Sequence, residues 1–270
     1  VLEKIRSKVT SDYGSKFLNQ EKRMLFNEHT FDTIGVKESY YLGLLYSDGC
    51  VCKTTGGRHM INFGSNDLSM VESVRDFFKS HNKIGKIRLV NNKNHYRISF
   101  SSKYLYKSML KLGLLDKKSR IIDAPVINKQ LTEPFLLGLF DGDGCLSRNK
   151  RINSWKACIG TGSKKLYHWV LKYIDTKGYS RSCEVRKTKN GNFFIVVLTG
   201  ITALVFLTFL YKSVKGIIIP LDRKMRVFQK MGGSNFRKGP NLFCWEKAIL
   251  KSNLSHEECF IKILADTRNY

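Results

Sequence analysis

Two stretches of the chain run apolar for most of a helix and then end in acid and glycine. They are YLGLLYSDG at 41–49 and LLGLFDGDG at 136–144. The acids both stretches keep, Asp48 and Asp143, are 95 residues apart. Near that offset the rest of the pattern repeats in the same order. At an offset of 96, Met70 falls on Leu166, Val74 on Val170, and Phe77 and Phe78 on Tyr173 and Ile174. That is one helical stripe written twice. ISFSSKYLYKSML (98–110) then meets VLTGITALVFLTF (197–209), a strand running into a helix. LDKKSR (115–120) meets LDRKMR (221–226), so the second half carries longer loops.

The pattern predicts an α+β fold of two pseudo-symmetric αββαββα halves, packed through the paired apolar helices. Each half would carry a four-stranded antiparallel sheet. First-half strands are expected at about 50–55, 58–64, 85–91 and 95–101. Alternation puts Lys86 and Arg88 on one face, and Arg97 and Ser99 on one face. The expected domains are an N-terminal extension (1–38), a first half (39–122), a linker containing Pro125 and Pro134 (123–134), a second half (135–231), and a basic strap with a helical tail (232–270). The tail reads equally as a helix-turn-helix or a docked helical pair, with Ser255 and Glu258 at capping-box spacing.

Gly43 and Gly138 sit inside the apolar helices, where glycine costs about 1 kcal/mol relative to alanine. They are expected to let the two helices approach closely, bringing Asp48 and Asp143 together. Gly49 and Gly144 would release the chain into a strand. Two carboxylates at helix C-termini oppose the helix dipole and each other. A hard divalent cation resolves that conflict, and Mg²⁺ suits one or two carboxylates plus water and phosphate oxygens.

Charge then narrows the partner. The 270 residues hold 47 Lys and Arg against 22 Asp and Glu, a net charge of +25. A field of that sign draws nucleic acid. No basic amphipathic anchor or lipidation signal points to a membrane. The run ITALVFLTFLY at 201–211 is too short to span one. The seven cysteines form no zinc-type spacing, and CVC at Cys50–Cys52 suits neither a zinc knuckle nor a redox pair. Reduced thiols inside a cell are expected. The compartment stays open between bacterial or phage-host cytoplasm and an organelle. A basic protein with paired acids for a metal points to phosphodiester hydrolysis.

The two nine-residue stretches resemble, over their full length, the signature of the LAGLIDADG homing endonucleases in their single-chain form. The resemblance covers roughly residues 38 to 230. It implies a monomeric, Mg²⁺-dependent endonuclease of intron-homing type, with Mn²⁺ as a substitute, cutting double-stranded DNA at a long asymmetric site to leave short 3′ overhangs. Asp48 and Asp143 would bind metal, helped by the backbone carbonyls of Ser47 and Gly142. Lys118 and Lys224 would stabilise charge at the scissile phosphates. Ser65 and Thr161 would position water, with Ser163 as an alternative to Thr161. Lys86, Arg88, Arg97 and Ser99 in the first sheet, and Arg186 and Lys187 in the second, would face DNA. Tyr46 departs from the signature where the second copy keeps Asp141, at a position that is not a metal ligand. The alternatives implied are an intron RNA maturase or a non-cleaving DNA-binding regulator of the same fold.

Overall fold

The computed structural model describes residues 26–89, 93–149, 154–189 and 191–234, with Glu258 beyond them. Most of the expected N-terminal extension and nearly all of the strap and tail, Ser255 included, lie outside the described residues.

The first half runs α1 (Val36–Asp48), β1 (Gly49–Lys53), β2 (His59–Ser65), α2 (Leu68–Phe77), β3 (Gly85–Arg88), β4 (Asn94–Ser101) and α3 (Lys103–Lys111). A 3-10 turn at Lys118–Arg120 follows. The second half runs α4 (Thr132–Asp143), β5 (Gly144–Asn149), β6 (Ser154–Thr161), α5 (Lys164–Thr176), β7 (Ser182–Thr188), β8 (Gly191–Thr199) and α6 (Gly200–Ser213), then α7 (Asp222–Ser234). Both sheets are antiparallel, ordered β1-β2-β4-β3 and β5-β6-β8-β7. This is the expected pair of αββαββα halves.

The first half reaches back further than residue 39. Phe26 and Phe31 are buried in its core, with Phe26 edge-on to Phe100 at 5.0 Å and Phe31 to Phe77 at 5.4 Å. The linker is likewise shorter than 123–134. Pro134 lies in the first turn of α4, where the missing N–H breaks no helical bond.

Helices α1 and α4 form the centre and are buried on nearly every side from Ser39 to Tyr46 and from Pro134 to Asp141. Their backbones touch at the two glycines. A Cβ on Gly43 would overlap the Phe135 carbonyl and stand 2.8 Å from the Leu139 nitrogen. One on Gly138 would overlap the Tyr40 carbonyl and stand 3.0 Å from the Leu44 nitrogen. Close approach is therefore what these glycines provide. Gly49 and Gly144 release the chain into β1 and β5, as expected. Both are extended (φ −85° and −75°), a conformation open to any residue. Their need is space, because a Cβ on Gly49 would sit 2.5 Å from the Leu45 oxygen and one on Gly144 would press into the Phe140 ring.

The apolar run at 201–211 forms α6, buried from Thr202 to Tyr211 between the second sheet and its neighbouring helices. Among the described residues no helix is long and apolar enough to cross a membrane. Contacts also tie the halves together beyond the central helices. The Ser163 hydroxyl donates to the Ile122 carbonyl, and the Arg120 guanidinium reaches the Asn192 carbonyl and the Thr188 hydroxyl.

Candidate metal centre and nucleic-acid face

An α-helix ends with carbonyls that lack intrahelical donors. In α1 and α4 these are answered by one lysine each. Lys118 Nζ donates to the carbonyls of Leu45 (2.9 Å), Tyr46 and Ser47 (2.6 Å). Lys224 Nζ donates to those of Phe140, Asp141 (2.7 Å) and Gly142 (3.5 Å). The two sets are equivalent residues at the 95-residue offset. Both lysines are buried. Lys117, at φ 51°, takes the left-handed region that directs the chain into the Lys118 turn. The family resemblance nominates these lysines for phosphate. The three-carbonyl cap was not legible, because each lysine lies more than 70 residues from its acceptors.

The acids gather at the same place. Gly142 packs so tightly on Ser47 that a Cβ there would overlap the Ser47 hydroxyl and lie 3.1 Å from Asp48 Oδ2. Asp48 therefore lies against the opposite helix. Burial pushes the Asp48 carboxyl above its ordinary range, opposed by the charges of Lys118, Lys224 and His95. Asp143 is exposed, yet the packed protein around its carboxyl, and then the charge of Asp48, push it up to about 6, while the two lysines pull it down. Burial lowers each of Lys118 and Lys224 to about 8 against the attraction of the acids. Two mutually repelling carboxylates, one half-buried and one exposed, beside two buried ammonium groups form a coupled charge cluster.

The position two residues before Asp48 and Asp143 differs between halves, yet it does one job. Asp141 Oδ2 accepts from Tyr40 Oη (2.8 Å) and from the Leu221 N–H (3.1 Å), so α4 holds the segment that carries Lys224. Tyr46 Oη donates to the Leu112 carbonyl (2.9 Å), so α1 holds the segment that leads to Lys118. Asp141 Oδ1 and Tyr211 Oη are buried without a hydrogen-bond partner, and burial raises Asp141 to about 6.

Antiparallel register decides which strand residues face outward, since directly opposed residues share a face. Ile61, Phe63, Ile98 and Phe100 point to the helices. Arg97 and Ser99 alternate with them and face outward, as expected. Lys86 pairs with Tyr96 and Arg88 with Asn94, which puts both on the helix-side face. In the second sheet Arg186 pairs with outward Phe193, but Lys187 pairs with Asn192 on the other side. The six residues named for one DNA face are therefore split between two. Lys86, Arg88 and Lys187 stay exposed because the helices do not reach that far along β3 and β7.

Ser65 and Thr161 are tied into local structure. Each hydroxyl accepts the N–H two residues on (Asp67 and Ser163, both 3.1 Å) and starts the turn into α2 or α5. Ser163 is the N-cap of α5. One residue that sequence reasoning missed is His95. Its ring covers Gly64 on the outward face, bonds Asn66 (3.0 Å) and acts electrostatically on Asp48. The equivalent cover over Gly160 is Phe193, which left no shared residue type to find.

Among the described residues no cluster of three or more His, Cys, Asp or Glu could hold a metal. The donor set is two carboxylates with nearby carbonyls. That fits Mg²⁺, which takes few protein ligands and completes its shell with water and phosphate oxygens.

No protein-family model matches the sequence, and no curated protein matches it. Solved structures similar to this chain include mesophilic variants of the homing endonuclease I-DmoI (16% identity, TM-score 0.45, covering 65% of this chain and 94% of that one). The homing endonuclease I-WcaI bound to its DNA recognition sequence is 17% identical (TM-score 0.47, 68% and 83%). I-SmaMI bound to uncleaved DNA target with calcium ions is 13% identical (TM-score 0.44, 86% and 97%).

Proposed function

We propose that this chain, built as two LAGLIDADG-type halves, is a site-specific double-strand DNA endonuclease that depends on a divalent cation. The observation that carries the reading is the carboxylate pair. Asp48, half-buried, and Asp143, exposed, repel each other at the ends of two helices whose backbones touch. Stability does not favour such a pair, whereas a divalent cation would neutralise it and a nucleic-acid polyanion would supply phosphate oxygens for the rest of the cation's shell. The net charge of +25 supplies the attraction for that polyanion.

In this reading Asp48 and Asp143, with the Ser47 and Gly142 carbonyls, hold Mg²⁺, and Mn²⁺ substitutes. When bound, the cation stabilises charge on the phosphoryl and leaving oxygens and acidifies water. Lys118 and Lys224 orient the carbonyls and place positive charge beside the scissile phosphates. Asp141 and Tyr46 fix the two lysine-bearing segments. Outward residues such as Arg97 and Arg186 read base edges, and exposed Lys86, Arg88 and Lys187 hold phosphates. Because one chain supplies two unlike halves, it acts as a monomer on an asymmetric site and leaves short 3′ overhangs.

The test is cleavage of a randomised duplex library with Mg²⁺, beside the Asp48→Asn, Asp143→Asn double variant. One long asymmetric site with staggered ends, cut by the parent and spared by the variant, is expected. If neither protein cuts and both retain the same DNA or intron RNA, the protein is a binder and the endonuclease reading is wrong.

A further inference from the structure

Glu184 is the single acidic residue in the eight strands. It pairs with Ile195, so it stands on the outward face of β7. A carboxylate there repels phosphate and lowers affinity for any polyanion. Two cations hold it in place. Lys156 Nζ is 2.8 Å from Oε1, and an Arg186 guanidinium nitrogen is 2.9 Å from Oε2. Lys156 reaches it from β6 across β8, and Ile195 and Val197 lie buried beneath on the same face. The side chains remain about a third to two thirds exposed. Ion pairs that open to solvent contribute little to stability, so bracing alone is a weak reason for the acid.

Both carboxylate oxygens keep acceptor capacity after their bonds to Lys156 and Arg186. An acceptor fixed on a DNA-facing sheet needs a donor in the major groove. Only cytosine N4 and adenine N6 provide one there. Adenine sets its N7 acceptor beside that amino group, where it would face the second carboxylate oxygen. Cytosine has a C–H in the corresponding place. We infer that Glu184, oriented by Lys156 and Arg186, is a specificity-determining residue that accepts a hydrogen bond from the N4 amino group of one cytosine in the half-site read by the second sheet. This rests on the proposed function, in that the outward face must lie on DNA.

The experiment is binding selection from randomised duplexes with Ca²⁺ in place of Mg²⁺, on the full chain and on Glu184→Gln. The parent is expected to enrich cytosine roughly tenfold at one position. Glu184→Gln is expected to recover the same site with that position moved toward adenine, which an amide reads through N6 and N7. Glu184→Asp is expected to keep cytosine with weaker discrimination. An unchanged profile in Glu184→Gln overturns the inference and leaves the endonuclease reading standing. Loss of preference at many positions would mark Glu184 as a brace of the sheet and overturns it as well. If the parent enriches no sequence, both readings fail.

Discussion

Asp141 is a buried carboxylate with one oxygen bonded twice and the other not at all. Its folded-state pKa, about 6, lies above the ordinary 3.8 because burial disfavours the charge. Between those values the folded chain binds more protons than the unfolded one, so stability falls as pH rises through the window. The span corresponds to roughly 3 kcal/mol. Asp141→Asn keeps an oxygen for the Tyr40 hydroxyl and the Leu221 N–H but carries no charge. Melting curves of parent and variant are expected to coincide near pH 4 and to separate above pH 6, with the variant more stable. Parallel curves across that range would refute the assignment. The lysines make a second case. Removing Lys118 leaves the Tyr46 and Ser47 carbonyls without that donor, while Leu45 keeps the Gly49 N–H, and leaves two acids short of a counter-charge. Lys118→Met is expected to lose about 2 kcal/mol in denaturant unfolding as well as cleavage rate. A lysine that served only the phosphate would lose rate at unchanged stability.

At the scale of elements, α1 and α4 set two effects against each other. Alanine in place of Gly43 gains about 1 kcal/mol of helix propensity. The added methyl would overlap the Phe135 carbonyl, which is backbone and has nowhere to go. Overpacking of that kind costs about 1–3 kcal/mol and here also spreads the acids. Gly43→Ala is therefore expected to lower the melting temperature and abolish cleavage, with a higher melting temperature as the contrary result. This contact was legible in the sequence, because two glycines in two copies of one apolar helix have few other uses. The first-half strands were legible to within two residues where described, since alternation is local. The facing of β3 and β7 was not. Lys86 and Arg88 alternate correctly within their strand, yet their side depends on which β4 residue stands opposite. Nothing in GKIR encodes that partner. Asp141 was read only as a position spared by the metal, because its partners Tyr40 and Leu221 come from other elements.

For the whole molecule, the distribution of charge matters more than its total. On the outward faces of the strands the Lys and Arg residues are Arg97, Lys156 and Arg186, and Glu184 engages the last two. Lys53, Lys86, Arg88, Arg148 and Lys187 follow the helix-side alternation. Among the described residues the positive charge is thus carried mainly off the reading surface, at edges, loops and helices. Phosphate contacts release counterions and set the salt slope, while base contacts choose the sequence. The two tasks are expected to separate by mutation. DNA affinity of the parent is expected to fall steeply, by about 10³ or more between 50 and 200 mM salt. Lys86→Ala and Arg88→Ala are each expected to reduce the log–log slope by about 1 at unchanged base preference. Arg97→Ala is expected to relax preference at one position and leave the slope nearly unaltered. Fluorescence anisotropy across a salt series, with selected and scrambled duplexes, distinguishes these outcomes. A shallower slope for Arg97→Ala together with an unchanged preference would move Arg97 to the backbone-holding group and leave Arg186 as the sole arginine reader on the strand faces.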